Sequence, residues 1–336
     1  MSPTDEGQAD PGPGPGARPG GVGLVLGAGG VAGSAFHAGV LAAIEEVTGW
    51  DPRRATVVVG TSAGSITATS LRAGLSTADL LARSEGRPMS PAGTHLFQAV
   101  GPLRAPPPLR PATTMRSPGD IAARLGRAAT RPLEARPLAL LAGLIPQGTV
   151  ATDVIWEGIA GMALGAWPAK HLWVCAVRER DGRLVVFGRD ARPALPDAVA
   201  ASCAIPGFFA PVEIGGEAFV DGGAHSPSNA DVLLGADVGL VLVSSPMSEA
   251  GRRARVALDE PGRRWARLAL GSEARRLRRS GAHVLAFQPT PEDLAVIGLN
   301  PMDPTRRGAV ARQARESTLR RLAHADTRAR LRPLME

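Results

Sequence analysis

The chain has 336 residues, 44% hydrophobic and 21% charged, which is enough for one large domain or two small ones with an ample core. Its net charge of +7 is carried almost wholly by arginine, Lys170 being the sole lysine, and no zinc spacing, helix-turn-helix signal or aromatic-rich strand accompanies it, so nucleic-acid binding is not expected. Cys175 and Cys203 lie far apart in apolar contexts and no apolar run approaches the roughly 20 residues that span a bilayer, which points to a reducing, cytoplasmic setting with peripheral contact to anionic membrane.

Residues 1–20 are polar and rich in Pro and Gly, the composition of a disordered tail. Val22–Leu26 reads as a short buried strand running into Gly27-Ala28-Gly29-Gly30-Val31-Ala32-Gly33, with a helix expected from about Ser34 to Val47. A glycine loop that leaves a strand and opens a helix presents backbone N–H groups to an anion. Two readings of it stay open. Gly27, Gly29 and Ala32 fit a dinucleotide phosphate turn, with Glu46 or Asp51 near the ribose-binding position. The same N–H groups suit an oxyanion.

The β-branched run Val57-Val58-Val59 ends in Gly60-Thr61-Ser62-Ala63-Gly64, and a helix is expected over 63–73. A strand turning that sharply into a helix pushes the central side chain out of the turn, over the positive end of the helix dipole. Ser62 is therefore the candidate nucleophile, and the Ala63 N–H an added oxyanion donor.

From about 86 to 147 prolines forbid long elements, and short helices are expected only near 118–128 and 136–144. Residues 86–136 hold eight arginines against two acids, net +6, so this insertion is expected to cover the sheet edge and to meet anionic lipid through Arg104, Arg110 and Arg116. Strands then follow at 172–177 and 183–187, a helix at 195–203, extended segments at 208–212 and 218–220, and Asp221-Gly222-Gly223. Strands at 237–243 and 283–287 flank an arginine-rich helix at 262–279, and an amphipathic helix runs from 305 to about 325. This alternation predicts a three-layer α/β/α sandwich with a central, mostly parallel sheet. Its catalytic domain spans 21–245, with the strand and helices of 246–336 packed on the same domain.

A nucleophilic serine needs a base. His283 opens a strand, His324 ends a helix and His225 is too near Asp221 to partner it. Asp221 instead ends an apolar segment and is presented from a tight turn, where its carboxylate can take the serine proton directly.

Leu26–Gly33, Gly60–Gly64, Ala201–Phe209 and Asp221–Gly223 together resemble the patatin-like phospholipases, in order and approximate spacing, over about Val22 to Val243. That resemblance implies a Ser62–Asp221 dyad and hydrolysis of lipid acyl esters with no metal or cofactor. It also implies an oxyanion hole from Gly29, Gly30, Val31 and Ala63, with Gly27, Gly33, Gly60, Gly64, Gly222 and Gly223 as motif glycines. The family loop usually reads Gly-Gly-Gly-x-Arg-Gly, and here Ala28 and Ala32 replace its first glycine and its arginine. The alternatives are a dinucleotide-binding protein using the first loop and a lipid-binding pseudoenzyme.

Overall fold

A computed structural model describes residues 20–98, 148–162, 166–249 and 260–335. The expected tail, most of the insertion and both of its expected helices fall outside those residues. The first is a matter of residues 1–19 and the rest of 99–147.

The core is one mixed sheet of eight strands. They are β1 (Gly21–Leu26), β2 (Val57–Thr61), β3 (His171–Arg178), β4 (Leu184–Phe187), β5 (Val212–Ile214), β6 (Glu217–Asp221), β7 (Val238–Ser244) and β8 (His283–Phe287). Along the sheet the order is β5-β6-β3-β2-β1-β7-β8, with β4 paired to β3. The run β3-β2-β1-β7-β8 is parallel, β4 and β6 each pair antiparallel with β3, and β5 pairs antiparallel with β6. β6 thus runs against the other central strands. Its last residue, Asp221, pairs with Ala176, one step from Cys175, which pairs with Thr61. That register brings the end of β6 beside the end of β2.

Strand alternation divides the buried residues between two cores. Leu24, Leu26, Val58, Val174, Leu242 and Phe287 face one, and Val25, Val57, Val59, Val241, Val243 and Val284 face the other. Burying a Val- or Leu-sized side chain contributes about 1.5–3 kcal/mol, which each face of the sheet gains because helices cover it. Over the first face lie α1 (Gly30–Thr48), α2 (Ala63–Arg72), α3 (Thr77–Glu85), α6 (Leu195–Ser202) and α9 (Arg307–Leu322). On the second face α7 (Glu260–Arg279) supplies Leu270, Ala274 and Leu277. The remaining helices among the described residues are α4 (Pro91–Phe97), α5 (Asp153–Ala160), α8 (Pro291–Ile297) and α10 (Ala325–Arg330).

Helix α1 begins at Gly30 rather than near Ser34, so the glycine loop itself forms its first turn. Glycine is a poor helix former. Here packing overrides propensity: the Ala32 N–H donates to the Pro301 carbonyl at 2.9 Å, and Gly33 closes on the Gly29 carbonyl at 2.8 Å. Further along, α1 crosses α9 so closely that a Cβ on Gly39 would stand 2.3 Å from the Ala311 carbonyl oxygen. The last helix expected over 305–325 is divided. A short turn at Pro304–Arg306 leads into α9, which ends at Leu322, and α10 follows.

Candidate active site

Ser62 is the N-cap of α2, with φ 54° and ψ −124°. A left-handed φ is uncommon for a residue with a side chain and costs about 1–3 kcal/mol, so the surroundings must hold it. They do. The Ser62 N–H donates to Ser202 Oγ at 2.9 Å, and the Ser202 hydroxyl donates in turn to the Cys175 carbonyl at 2.7 Å. The Ser62 carbonyl accepts from the Ser65 N–H at 2.8 Å and from Ser65 Oγ at 2.7 Å. The turn also needs its flanking glycines: a Cβ on Gly64 would sit 1.9 Å from the Leu26 carbonyl oxygen, and one on Gly60 2.4 Å from Ser65 Cα.

Asp221 is only 4% exposed. One carboxyl oxygen accepts the Gly223 N–H at 2.7 Å, and the Ser62 hydroxyl lies near enough to favour the ionised form. Burial pushes this carboxyl up to about 6, against the lowering effect of Ser62 and the Gly223 N–H. Gly222 packs against β3, where a Cβ would stand 2.3 Å from the Cys175 carbonyl oxygen.

Gly30, Val31 and Ala63 line the same cavity as Ser62. They occupy the first turns of α1 and α2, where backbone N–H groups have no intrahelical acceptor. Gly29 is the N-cap of α1 in extended backbone (φ 170°), with Pro246 packed against its Cα. Gly30 has φ 61° and lies under Met302, whose sulfur would be 2.7 Å from a Cβ placed there. Gly27 and Gly33 seat the loop: the Gly27 N–H donates to the Ser244 carbonyl at 3.0 Å, and Gly33 faces Pro246.

The cavity has a volume of about 590 Å³. Its walls are largely apolar, with Ile66, Leu80, Phe97, Ile159, Met162 and Phe209 among them. Among the described residues no three His, Cys, Asp or Glu side chains gather as metal ligands, and no helix is long and apolar enough to cross a membrane.

Several functional neighbours were not singled out by sequence reasoning. His37 is buried in α1, with Nε2 2.8 Å from the Gly27 carbonyl and Nδ1 2.8 Å from Ser244 Oγ. Burial holds it down to about 4, so it is neutral. The carbonyl can only accept, so Nε2 carries the proton and Nδ1 accepts from Ser244. Asn229 reaches Thr61 Oγ1 at 3.1 Å and the Gly222 carbonyl at 3.2 Å, joining the turn before the serine to the turn after the aspartate. Its Oδ1 accepts from His225 Nδ1 at 2.9 Å, which gives that histidine a structural partner. Buried Glu273 accepts from Ser226 Oγ (2.5 Å), Ser228 Oγ (2.6 Å) and the Ala230 N–H (2.9 Å), and so pins the same loop from α7. Both cysteines are buried and unpaired. Burial, then the charge of Asp221, raises the Cys203 thiol, so it stays protonated beside Ser65 Oγ, 3.8 Å away.

The dinucleotide reading loses its acids. Glu46 pairs with Arg315 at 2.6 Å, while Asp51 caps its own turn and pairs with Arg53 at 2.8 Å. Both precede β2, at the sheet edge opposite the glycine loop, because β1 and β2 are parallel.

Comparison with curated proteins finds no match. Among solved structures the chain is similar to VipD from Legionella pneumophila, at 14% identity and a TM-score of 0.43, over 90% of this chain and 67% of that one. It is also similar to the type III effector protein ExoU, at 18% identity and a TM-score of 0.33, over 93% of this chain and 53% of that one, about half of ExoU's length. The sequence model of the patatin-like phospholipases matches residues 24–234, a span that holds the strained serine turn, the glycine loop and the buried aspartate alike. The chain belongs to the patatin-like phospholipase family.

Proposed function

We propose that the protein is a serine acyl hydrolase that cleaves carboxylic esters of lipids through a Ser62–Asp221 dyad. The observation that carries this reading is the strained Ser62 turn at the wall of an apolar cavity, with the buried Asp221 carboxyl near enough to feel its hydroxyl. Ser62 Oγ attacks the ester carbonyl carbon while its proton passes to the Asp221 carboxylate. The tetrahedral oxyanion is held by N–H groups of Gly30, Val31 and Ala63, with Gly29 shaping the turn; the Ser62 N–H is already committed to Ser202. Asp221 returns the proton to the leaving alcohol. It then takes one from water as that water attacks the acyl-enzyme, and gives it back to Ser62 Oγ as the fatty acid departs.

The desolvated site suits this chemistry. A carboxyl raised to about 6 is a stronger base than an ordinary aspartate and is still ionised at neutral pH. The partner is a lipid ester, met through peripheral contact with anionic membrane. Co-sedimentation with anionic vesicles should then weaken as salt is raised.

The test is hydrolysis of a p-nitrophenyl acyl ester by wild type and Ser62→Ala, alongside labelling of Ser62 by a fluorophosphonate. Turnover and labelling that both vanish in the variant support the dyad. A folded wild type that is neither labelled nor active would leave a lipid-binding pseudoenzyme.

A further inference from the structure

Two arginines line the cavity beside Ser62, Arg83 from the last turn of α3 and Arg307 from the first turn of α9. They belong to segments more than two hundred positions apart in the chain. The helices that carry them touch. A Cβ on Gly308 would lie 3.3 Å from Glu85 Cα and 3.4 Å from the Ser84 carbonyl oxygen, so the start of α9 abuts the end of α3.

Neither arginine has a carboxylate partner among the described residues. The nearest acid in sequence, Glu85, is engaged by Arg87 at 2.5 Å and lies 4.0 Å from Arg312. Arg83 instead lies over the Phe97 ring, 3.9 Å from its centroid, a contact that orients a guanidinium without neutralising it. Burial and then the charge of Arg307 lower Arg83 to about 10, the response of a cation held in poorly solvated surroundings beside a like charge. Among the described residues Glu157 on α5 is the one carboxylate in the cavity wall, and it has interactions of its own. A half-buried pair of cations is costly unless an anion arrives to meet it, and guanidinium is suited to bind phosphate or carboxylate through paired N–H groups.

We propose that Arg83 and Arg307 form an anion subsite within the acyl cavity, so that the preferred substrate is an ester bearing an anionic oxygen group close to the scissile bond. This rests on the serine hydrolase reading above and narrows its substrate class. The apolar wall takes the acyl chain, and the arginine pair takes the phosphate or carboxylate. A neutral glyceride leaves the two cations unmatched.

The experiment separates this inference from the reading beneath it. Short-chain esters below their micelle concentration remove any contribution from a charged interface. Hydrolysis of dihexanoyl phosphatidate and dihexanoylglycerol is compared in wild type, Arg83→Gln, Arg307→Gln and Arg320→Gln, whose arginine is exposed and pairs with Glu316. The ratio of kcat/KM for the anionic over the neutral ester should fall about ten- to a hundredfold in the first two variants, mainly through KM, and hold in the third. In parallel, Ser62→Ala is titrated calorimetrically with dihexanoyl phosphatidate, dihexanoylglycerol and inorganic phosphate, a readout that needs no turnover. Tight phosphatidate binding that weakens when Arg83→Gln or Arg307→Gln is added supports the subsite even if Ser62 is not the nucleophile. Equal binding of phosphatidate and dihexanoylglycerol, an unchanged ratio in both variants, or binding of inorganic phosphate with no preference for the phosphatidate would overturn it.

Discussion

Asn229 Nδ2 donates to Thr61 Oγ1 at 3.1 Å, a bond across 168 positions that ties the residue before Ser62 to the loop after Asp221. Asn229 itself has φ 49°, a conformation that asparagine tolerates better than most residues. Asn229→Ala is expected to lose about 2 kcal/mol of stability and to lower kcat about ten- to a hundredfold with little change in KM, because Ser62 and Asp221 lose their common brace. Asn229→Gly removes the same bonds without the backbone strain. It should regain part of the stability in urea melts but none of the turnover.

The Asp221 carboxyl makes activity and stability run in opposite directions with pH. Its pKa is raised from 3.8 to about 6, so the fold binds that proton more tightly than the unfolded chain does. The stability linked to it is fully present below pH 3.8 and is lost as pH rises through about 6, an effect of at most about 3 kcal/mol. The proposed mechanism requires the ionised form, so kcat/KM on a neutral ester should climb tenfold per pH unit up to about 6 and then level off. Asp221→Asn should be inactive yet more stable than wild type at pH 8, with that gain gone at pH 3.5. A rate profile flat down to pH 4.5 would contradict the assignment.

Gly30 has two reasons to be glycine, its φ of 61° and the Met302 sulfur above it. Gly30→Ala must turn the first α1 peptide or displace Met302. Either movement disturbs the N–H groups proposed to hold the oxyanion, so kcat should fall by about 10²–10³, as for loss of one oxyanion donor in other hydrolases. Met302→Gly added to Gly30→Ala relieves the contact but not the backbone strain. Partial recovery of kcat in the double variant would assign the steric share.

Glu273 holds three donors of the 226–230 loop from a buried position. Glu273→Ala leaves them unpaired and should cost about 3 kcal/mol in urea unfolding. Glu273→Gln retains one acceptor and removes the burial penalty on a charge, so it should cost no more than about 1 kcal/mol. Equal destabilisation by both would mean that the negative charge itself, rather than the acceptor geometry, secures the loop.

The parts of the site readable in the sequence are those whose geometry is local. Ser62 follows from a strand, five residues and a helix, and Asp221 from a strand end followed by two glycines. Ser202 stood inside a recognised motif, but its bond to the Ser62 N–H depends on β3 bringing α6 under the turn. Pro301, Met302 and Arg307 were invisible, since nothing near them in sequence marks a surface that will fold back onto residue 30. Two missed helices did carry signals. Ser76 caps α3 by accepting from the Asp79 N–H at 3.1 Å. Thr290 and Asp293 form a capping box at α8, with Pro291 just inside it.

Strand β7 lies beyond the last matched residue, 234, yet it is hydrogen-bonded to β1 from Gly21 to Leu26. A chain stopped at 234 would keep every motif glycine, Ser62 and Asp221. It would also turn the central strand β1 into a raw edge, with its N–H and C=O groups open to any other extended chain. The props under the glycine loop, Ser244, Pro246 and Pro301, would be gone as well. Such a fragment is destined for self-association rather than catalysis. The shortest piece that keeps the neighbourhood of Ser62 closed runs through Leu322, far beyond the final motif residue Gly223.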